Sequence, residues 1–243
     1  MSIAIRVEAI SKTYRSGPPA LQNLSFNVRH GTITALLGGN GAGKTTTLSI
    51  LLGVLLPDAG TVTVLGHNMA HAREQALKRM NFSSPYIELP NRLTIEQNLR
   101  VFGMYYNVNN LADRITELAQ QLDFAHLLKR PYGQLSAGQK TRVTIAKSLL
   151  NKPELLLLDE PTASLDPDTA DWVRSFLMDY QKQHKATILL ASHNMPEVER
   201  MCDDVLMLRT GVLVDQGTPH ELINRYGRQT MEEVFLAIAR HAA

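Results

Sequence analysis

Residues 38–46 read Gly38-Gly39-Asn40-Gly41-Ala42-Gly43-Lys44-Thr45-Thr46, and their flanks decide the fold. Gly38, four further residues, then Gly43-Lys44-Thr45 form the phosphate-binding P-loop pattern. Upstream, residues 32–37 (TITALL) are β-branched and apolar, which predicts a buried strand. Downstream, residues 45–56 are apolar and free of proline until Pro57, which predicts a helix over 45–56. Strand, glycine-rich turn and helix start together make an anion site. The glycines let backbone N–H groups close around phosphate oxygens, and the helix dipole adds positive potential. In such a loop Lys44 reaches the β- and γ-phosphates and the Thr45 hydroxyl is a Mg²⁺ ligand. The plain alternative is a glycine-rich turn that binds nothing.

The rest of the chain narrows that choice. Residues 155–158 are four leucines, a strand buried on both faces as central parallel strands are. Asp159 and Glu160 follow at its C-terminal end, where open α/β sheets hold ligands. Asp159 suits Mg²⁺ coordination, directly or through water. Glu160 suits polarising an attacking water. Residues 187–191 (TILLA) predict another buried strand, ending in Ser192-His193. His193 there is level with the carboxylates and can contact a γ-phosphate, although a lone histidine is more often structural. Ser136 and Gln139 fit a capping box before a helix that carries Val143, Ala146, Leu149 and Leu150 on one side. That is a well-capped helix, and a start with Ser136 and Gly138 at its mouth is also a second anion site.

Residues 3–14 and 21–28 read as strands around a turn at Ser16-Gly17-Pro18-Pro19. Tyr14 is exposed by its neighbours Lys12 and Arg15; its ring can stack on a purine, or it is a half-buried strand tyrosine. Residues 61–65 (TVTVL) read as an edge strand, 73–79 as a short polar helix, and 80–84 as a strand that leads into a loop over 85–90. Thr94-Ile95-Glu96-Gln97 opens a capped helix through Leu99, Phe102 and Tyr106. A second helix over 111–122 places Ile115, Leu118, Ala119 and Leu122 on one face. Residues 93–132 therefore read as an inserted helical subdomain. An amphipathic helix over 168–183, a hairpin around Gly211, a short helix over 221–226 and a final helix capped by Thr230-Met231-Glu232-Glu233 complete the order. The helical tail covers about 218–243.

Composition bounds the function. The 243 residues, 44% hydrophobic and 20% charged, are those of an ordinary globular chain, one large domain or a core with small subdomains. A net charge of +2, from 25 basic and 23 acidic residues, gives no footprint for nucleic acid. The one cysteine, Cys202, has no partner for an internal disulfide, which fits a reducing compartment. Residues 1–8 lack a signal-peptide core, and the greasiest stretch, 48–56, is far short of the roughly 20 residues that span a bilayer.

In this order the motifs resemble the ATP-binding subunit of ABC transporters, over almost the whole chain. Residues 38–45 match the Walker A loop, 135–139 (LSAGQ) the signature with Ala137 at its first glycine, and 155–159 with Glu160 Walker B and its glutamate. Ser164-Leu165-Asp166 match the D-loop and His193 the switch histidine. Tyr14 stands at the place of the adenine-stacking aromatic. The resemblance implies an α/β P-loop NTPase (RecA-like) core with a mainly parallel sheet, an N-terminal antiparallel β-subdomain and an inserted α-helical subdomain. It implies hydrolysis of ATP with Mg²⁺ through Lys44, Glu160 and His193, with Thr45 and Asp159 on the metal. It also implies a head-to-tail dimer, expected to be a homodimer. ATP held by Tyr14 and residues 38–46 of one copy is capped there by Ser136, Gly138 and Gln139 of the other. A separate integral-membrane permease is the expected partner, with the chain peripheral on the cytoplasmic face of the membrane.

The tail motifs Gln216-Gly217-Thr218-Pro219, Tyr226-Gly227 and residues 232–236 are similar to the branch that exports drugs, lipids and polysaccharides. The alternative is a soluble ABC ATPase of the iron–sulfur assembly type. One departure stands out: the family's glutamine near the loop after Met80-Asn81-Phe82 is absent, and Ser84 or Pro85 takes its place. That loop is expected either to dock the permease through Tyr86, Ile87 and Leu89, or to hold Tyr86 and Leu89 packed beneath it.

Overall fold

The four leucines separate two hydrophobic layers. Leu155 and Leu157 belong to one buried cluster, Leu156 and Leu158 to another. This is the alternation of a strand buried on both faces. The computed structural model describes residues 2–15, 17–84, 87–163 and 165–240. In chain order it forms β1 (Ile3–Thr13), β2 (Pro19–Arg29), β3 (Ile33–Leu37), α1 (Lys44–Leu51), β4 (Ala59–Val64) and β5 (His67–Asn68). There follow α2 (Arg73–Leu77), β6 (Met80–Ser83), α3 (Ile95–Tyr105), α4 (Leu111–Gln121) and α5 (Ala137–Leu149). The chain ends with β7 (Leu155–Asp159), α6 (Pro167–His184), β8 (Thr187–Ser192), α7 (Met195–Met201), β9 (Asp204–Arg209), β10 (Val212–Gly217), α8 (Pro219–Tyr226) and α9 (Met231–Arg240).

The larger sheet runs β10-β9-β3-β8-β7-β6, parallel except for β10. The smaller sheet runs β2-β1-β4-β5 and is antiparallel. Leu48, Ile50 and Leu51 of α1 share one core with Ile5, Val7 and Leu24 of the small sheet and with Leu36, Leu155, Leu157 and Leu189 of the large one. The opposite face of the large sheet packs on α3 to α7 and α9. Both ends of the segment that breaks the strand–helix alternation meet: the Tyr132 N–H donates to the Leu93 carbonyl at 2.9 Å. The turn between β9 and β10 braces the P-loop, with the Gly211 N–H donating to the Ala42 carbonyl at 3.1 Å.

The large elements and the mixed α/β architecture agree with the sequence reading; several local expectations do not. Helix α1 ends at Leu51, short of residue 56. Gly53, at φ 67°, turns the chain left-handed, and the Val54 and Leu55 N–H groups both donate to the Ser49 carbonyl. A glycine one residue past the cap stops a helix this way before any proline can. Strand β4 is not an edge, because the two-residue β5 lies outside it. Helix α7 has no counterpart in the sequence reading; seven residues opened by Asn194 are too few to show a period. At α9, Thr230 Oγ1 caps the Glu233 N–H, but the Glu233 carboxylate bonds the Gln229 N–H, so the box is not reciprocal. Leu89 is 2% exposed and sits in the core, so it packs beneath its loop and offers no docking contact, whereas Ile87 is exposed. Ser16, Pro85, Tyr86 and Ser164 lie outside the described residues.

Candidate functional site

Strand β3 delivers the loop 38–43 to the C-terminal edge of the large sheet, between β8 and β9. Gly38 is fixed by space: a Cβ there would lie 2.6 Å from the Leu208 carbonyl oxygen and 2.7 Å from the Ala42 Cβ. Gly43 is fixed by conformation, at φ 102°, and is the N-cap of α1 with no side chain capping it. The first-turn N–H groups of a helix have no intrahelical partners, so this start is open to an anion. Residues 39–46, Asp159, Glu160 and Ala20 line one cleft of about 290 Å³.

Lys44 is buried and folds back over the loop, its Nζ donating to the Gly38 carbonyl at 2.6 Å and to that of Gly39 at 3.3 Å. Nζ also lies 3.9 Å from Glu160 Oε1. Burial pulls its pKa down, while Glu160 and Asp159 push it up. Burial raises the Asp159 carboxyl above the usual range, the neighbouring Glu160 adds to that, and Lys44 opposes both. One ammonium thus faces two carboxylates, and the cleft has room for further positive charge.

Glu160 leaves β7 with a left-handed backbone, φ 50°, its N–H held by the Ala191 carbonyl at 2.9 Å. Such a backbone costs a non-glycine residue of order 1 kcal/mol and collects at functional sites. The turn aims Oε1 at His193 Nδ1, 2.7 Å away. Tyr14 is half exposed, and its hydroxyl lies 3.4 Å from Thr46 Oγ1, at the rim of the same loop.

The remaining residues read as binding groups stand elsewhere. Ser136 caps α5 in a closed box: its Oγ accepts the Gln139 N–H at 3.3 Å, and Gln139 Oε1 accepts the Ser136 N–H at 3.0 Å. Gly138 faces Thr169 of α6. None of these three lines the P-loop cleft. Ser84, buried, lines a different cavity, shared with Glu88, Lys140, Thr141 and Ala163.

Three further residues contribute with little or no signal in the sequence. Ala20 lines the cleft. Phe235 of α9 comes within 3.9 Å of where a Cβ on Gly39 would stand. Glu197, 2% exposed, lies under the Glu160 and His193 turns. Its only sequence signal, an acid three residues after Asn194, reads as routine helix capping.

The Thr45 hydroxyl and the Asp159 carboxylate line the same cleft and are hard oxygen donors, which suits Mg²⁺. A parallel sheet feeding a P-loop, with an acid pair and a histidine at neighbouring strand ends, defines a P-loop nucleoside triphosphatase. The sequence profile described as ABC transporter matches residues 21–163. A Nod factor export ATP-binding protein I of Ralstonia nicotianae is 38% identical over 222 residues, 90% of this chain and 68% of that protein. Another, from Rhizobium sp. (strain N33), is 37% identical over 238 residues, 95% of this chain and 76% of that protein. The solved cbiO1 of Clostridium perfringens, part of the ABC transporter complex cbiONQ, superposes with a TM-score of 0.83 at 29% identity, covering 93% of this chain and 92% of that one. The chain belongs to the ABC transporter family, as its ATP-binding, ATP-hydrolysing subunit.

Proposed function

We propose that this chain is the ATPase subunit that drives export through a separate membrane-spanning permease, working as a homodimer on the cytoplasmic face of the membrane. We place the channel in a separate chain; among the described residues no helix is long and apolar enough to cross a bilayer. The relatives bearing the name of export ATP-binding proteins support the export direction over an iron–sulfur assembly role. We take residues 1–243 as one cassette, with a helical insertion over about 93–132 and a helical tail over about 218–243.

The observation that carries the reading is the division of the site. Lys44, Thr45, Asp159 and Glu160 line one cleft, His193 joins them through its contact with Glu160, and the second helix start, Ser136 to Gln139, stands outside it. A head-to-tail pair of chains brings the second start onto the γ-phosphate held by the first. In that arrangement the loop 38–46 wraps the phosphates and Tyr14 stacks on the adenine. Lys44 exchanges its carbonyl partners for β- and γ-phosphate oxygens. Glu160 polarises the attacking water, and His193 holds Glu160 and reaches the γ-phosphate. The phosphoryl group passes to water and ADP leaves with the electron pair of the broken bond. Thr45 and Asp159 would hold Mg²⁺, which neutralises charge developing between the β- and γ-phosphates. Ser136 and Gly138 of the second chain add donors where transition-state charge gathers.

Glu160→Gln keeps the shape of the side chain and removes its charge. Hydrolysis is expected to fall about 10²-fold or more, about 2.7 kcal/mol on the barrier, while ATP still binds. The variant then accumulates as an ATP-bound dimer on size-exclusion chromatography. A variant that stays monomeric at every ATP concentration contradicts the shared site.

A further inference from the structure

Beneath the cleft lies a carboxylate with no place in the chemistry described so far. Glu197 belongs to α7, yet its side chain turns away from its own helix start. Its Oε1 accepts the Thr162 hydroxyl at 3.0 Å, and its Oε2 accepts the Ser192 hydroxyl at 3.0 Å. Thr162 stands two residues after Glu160, and Ser192 immediately precedes His193. Ser192 Oγ also accepts the Asn194 N–H at 3.0 Å, and Asn194 Oδ1 accepts the Glu197 N–H at 3.2 Å. The turn carrying His193 is thus closed into a ring of bonds through Glu197. All three side chains, Thr162, Ser192 and Glu197, are buried.

We propose that Glu197 is a positioning residue for hydrolysis, a two-oxygen clamp that ties the Glu160 turn to the His193 turn and sets the 2.7 Å contact between them. A buried carboxylate costs free energy unless its oxygens are satisfied, and here the two bonds that satisfy it come from the two turns bearing the reactive side chains. The left-handed backbone at Glu160 needs such a restraint, because strained backbone persists only where its surroundings over-determine it. None of Thr162, Ser192 and Glu197 lines the phosphate cleft. It therefore acts on the rate of the chemical step and leaves ATP affinity alone. This inference rests on Glu160 and His193 being the hydrolytic pair.

The test is steady-state hydrolysis and equilibrium ATP binding by the full chain, for Glu197→Gln, Glu197→Leu, His193→Ala and the double variant Glu197→Leu/His193→Ala, with Glu160→Gln as reference. Glu197→Leu is expected to lower kcat about tenfold with the ATP Kd held within about twofold. Glu197→Gln, which keeps one acceptor and places an amide against the other hydroxyl, restores most of that loss. With His193 already removed, adding Glu197→Leu costs less than about threefold more, because both changes disable one unit. If the leucine variant does not fold, Thr162→Val removes one arm alone and is expected to lower kcat about threefold with unchanged Kd. Parallel loss of ATP binding and kcat, multiplicative effects in the double variant, or a glutamine no better than leucine overturns the clamp. An unchanged rate in Glu160→Gln instead overturns the reading of the site, and the clamp with it.

Discussion

Two helix starts in this molecule look alike in sequence and differ in structure. Helix α1 begins at a left-handed glycine, Gly43, and no side chain caps it. Helix α5 begins at Ser136 and closes its own cap with Gln139. The first leaves its N–H donors to a ligand and gathers Lys44, Asp159, Glu160 and His193 around them. The second ties the Ser136 and Gln139 N–H groups into its own box and stands outside the cleft. In the proposed dimer the P-loop is the cradle, and the signature helix supplies further donors from a second chain.

The largest expected break in this comparison is at Lys44. Lys44→Ala removes the cation that the two carboxylates of the cleft face, so hydrolysis should fall by about 10²-fold or more, about 2.7 kcal/mol. Activity equal to the unchanged chain would show that the open helix start is not the ATP site. A smaller change is expected at the closed start. Aspartate caps a helix about as well as serine, so Ser136→Asp should leave thermal stability within about 0.5 kcal/mol. Its carboxylate would nevertheless repel a γ-phosphate, and hydrolysis should fall about tenfold or more. A variant whose ATPase rate is unaffected would show that α5 takes no part in the site.

The smallest effect sharpens how α5 is held. Lys147, on its inner side, is buried and donates to the Phe82 carbonyl at 3.1 Å and to Asn81 Oδ1 at 3.4 Å. Burial pushes its pKa down to about 8 from the usual 10.5. The unfolded chain therefore binds this proton more tightly. The cost of the buried charge is complete below pH 8, and stability rises with pH from about 8 to near 10.5. Lys147→Met should flatten that rise in denaturant titrations; an unaltered alkaline profile would assign it to other groups.

Much of this was legible because the signals were local and redundant. The P-loop letters came with a β-branched strand before them, and β7 announced itself as four leucines followed by two acids. The capping boxes at Thr94 and Ser136 formed as their spacing required. What escaped the sequence depended on contacts distant along the chain. Whether Leu89 faces solvent or the core is decided by the helices over it, and its loop setting alone suggested either. Glu197 reads as a helix acid, and only the approach of Thr162 and Ser192 gives it a different part. Pro57 predicts a stop for α1 near residue 56, whereas Gly53, four residues earlier, already turns the chain.

If the open helix start of one copy is completed by the closed start of another, two inactive variants should rescue each other when mixed. Lys44→Ala spoils the cradle and leaves Ser136 to Gln139 intact; Ser136→Asp does the reverse. Each variant alone makes dimers with two defective sites. In an equal random mixture half the dimers are mixed, and each of those carries one intact site, so recovery to about a quarter of the unmutated rate is expected. A mixture no more active than the mean of the two variants measured separately would contradict it.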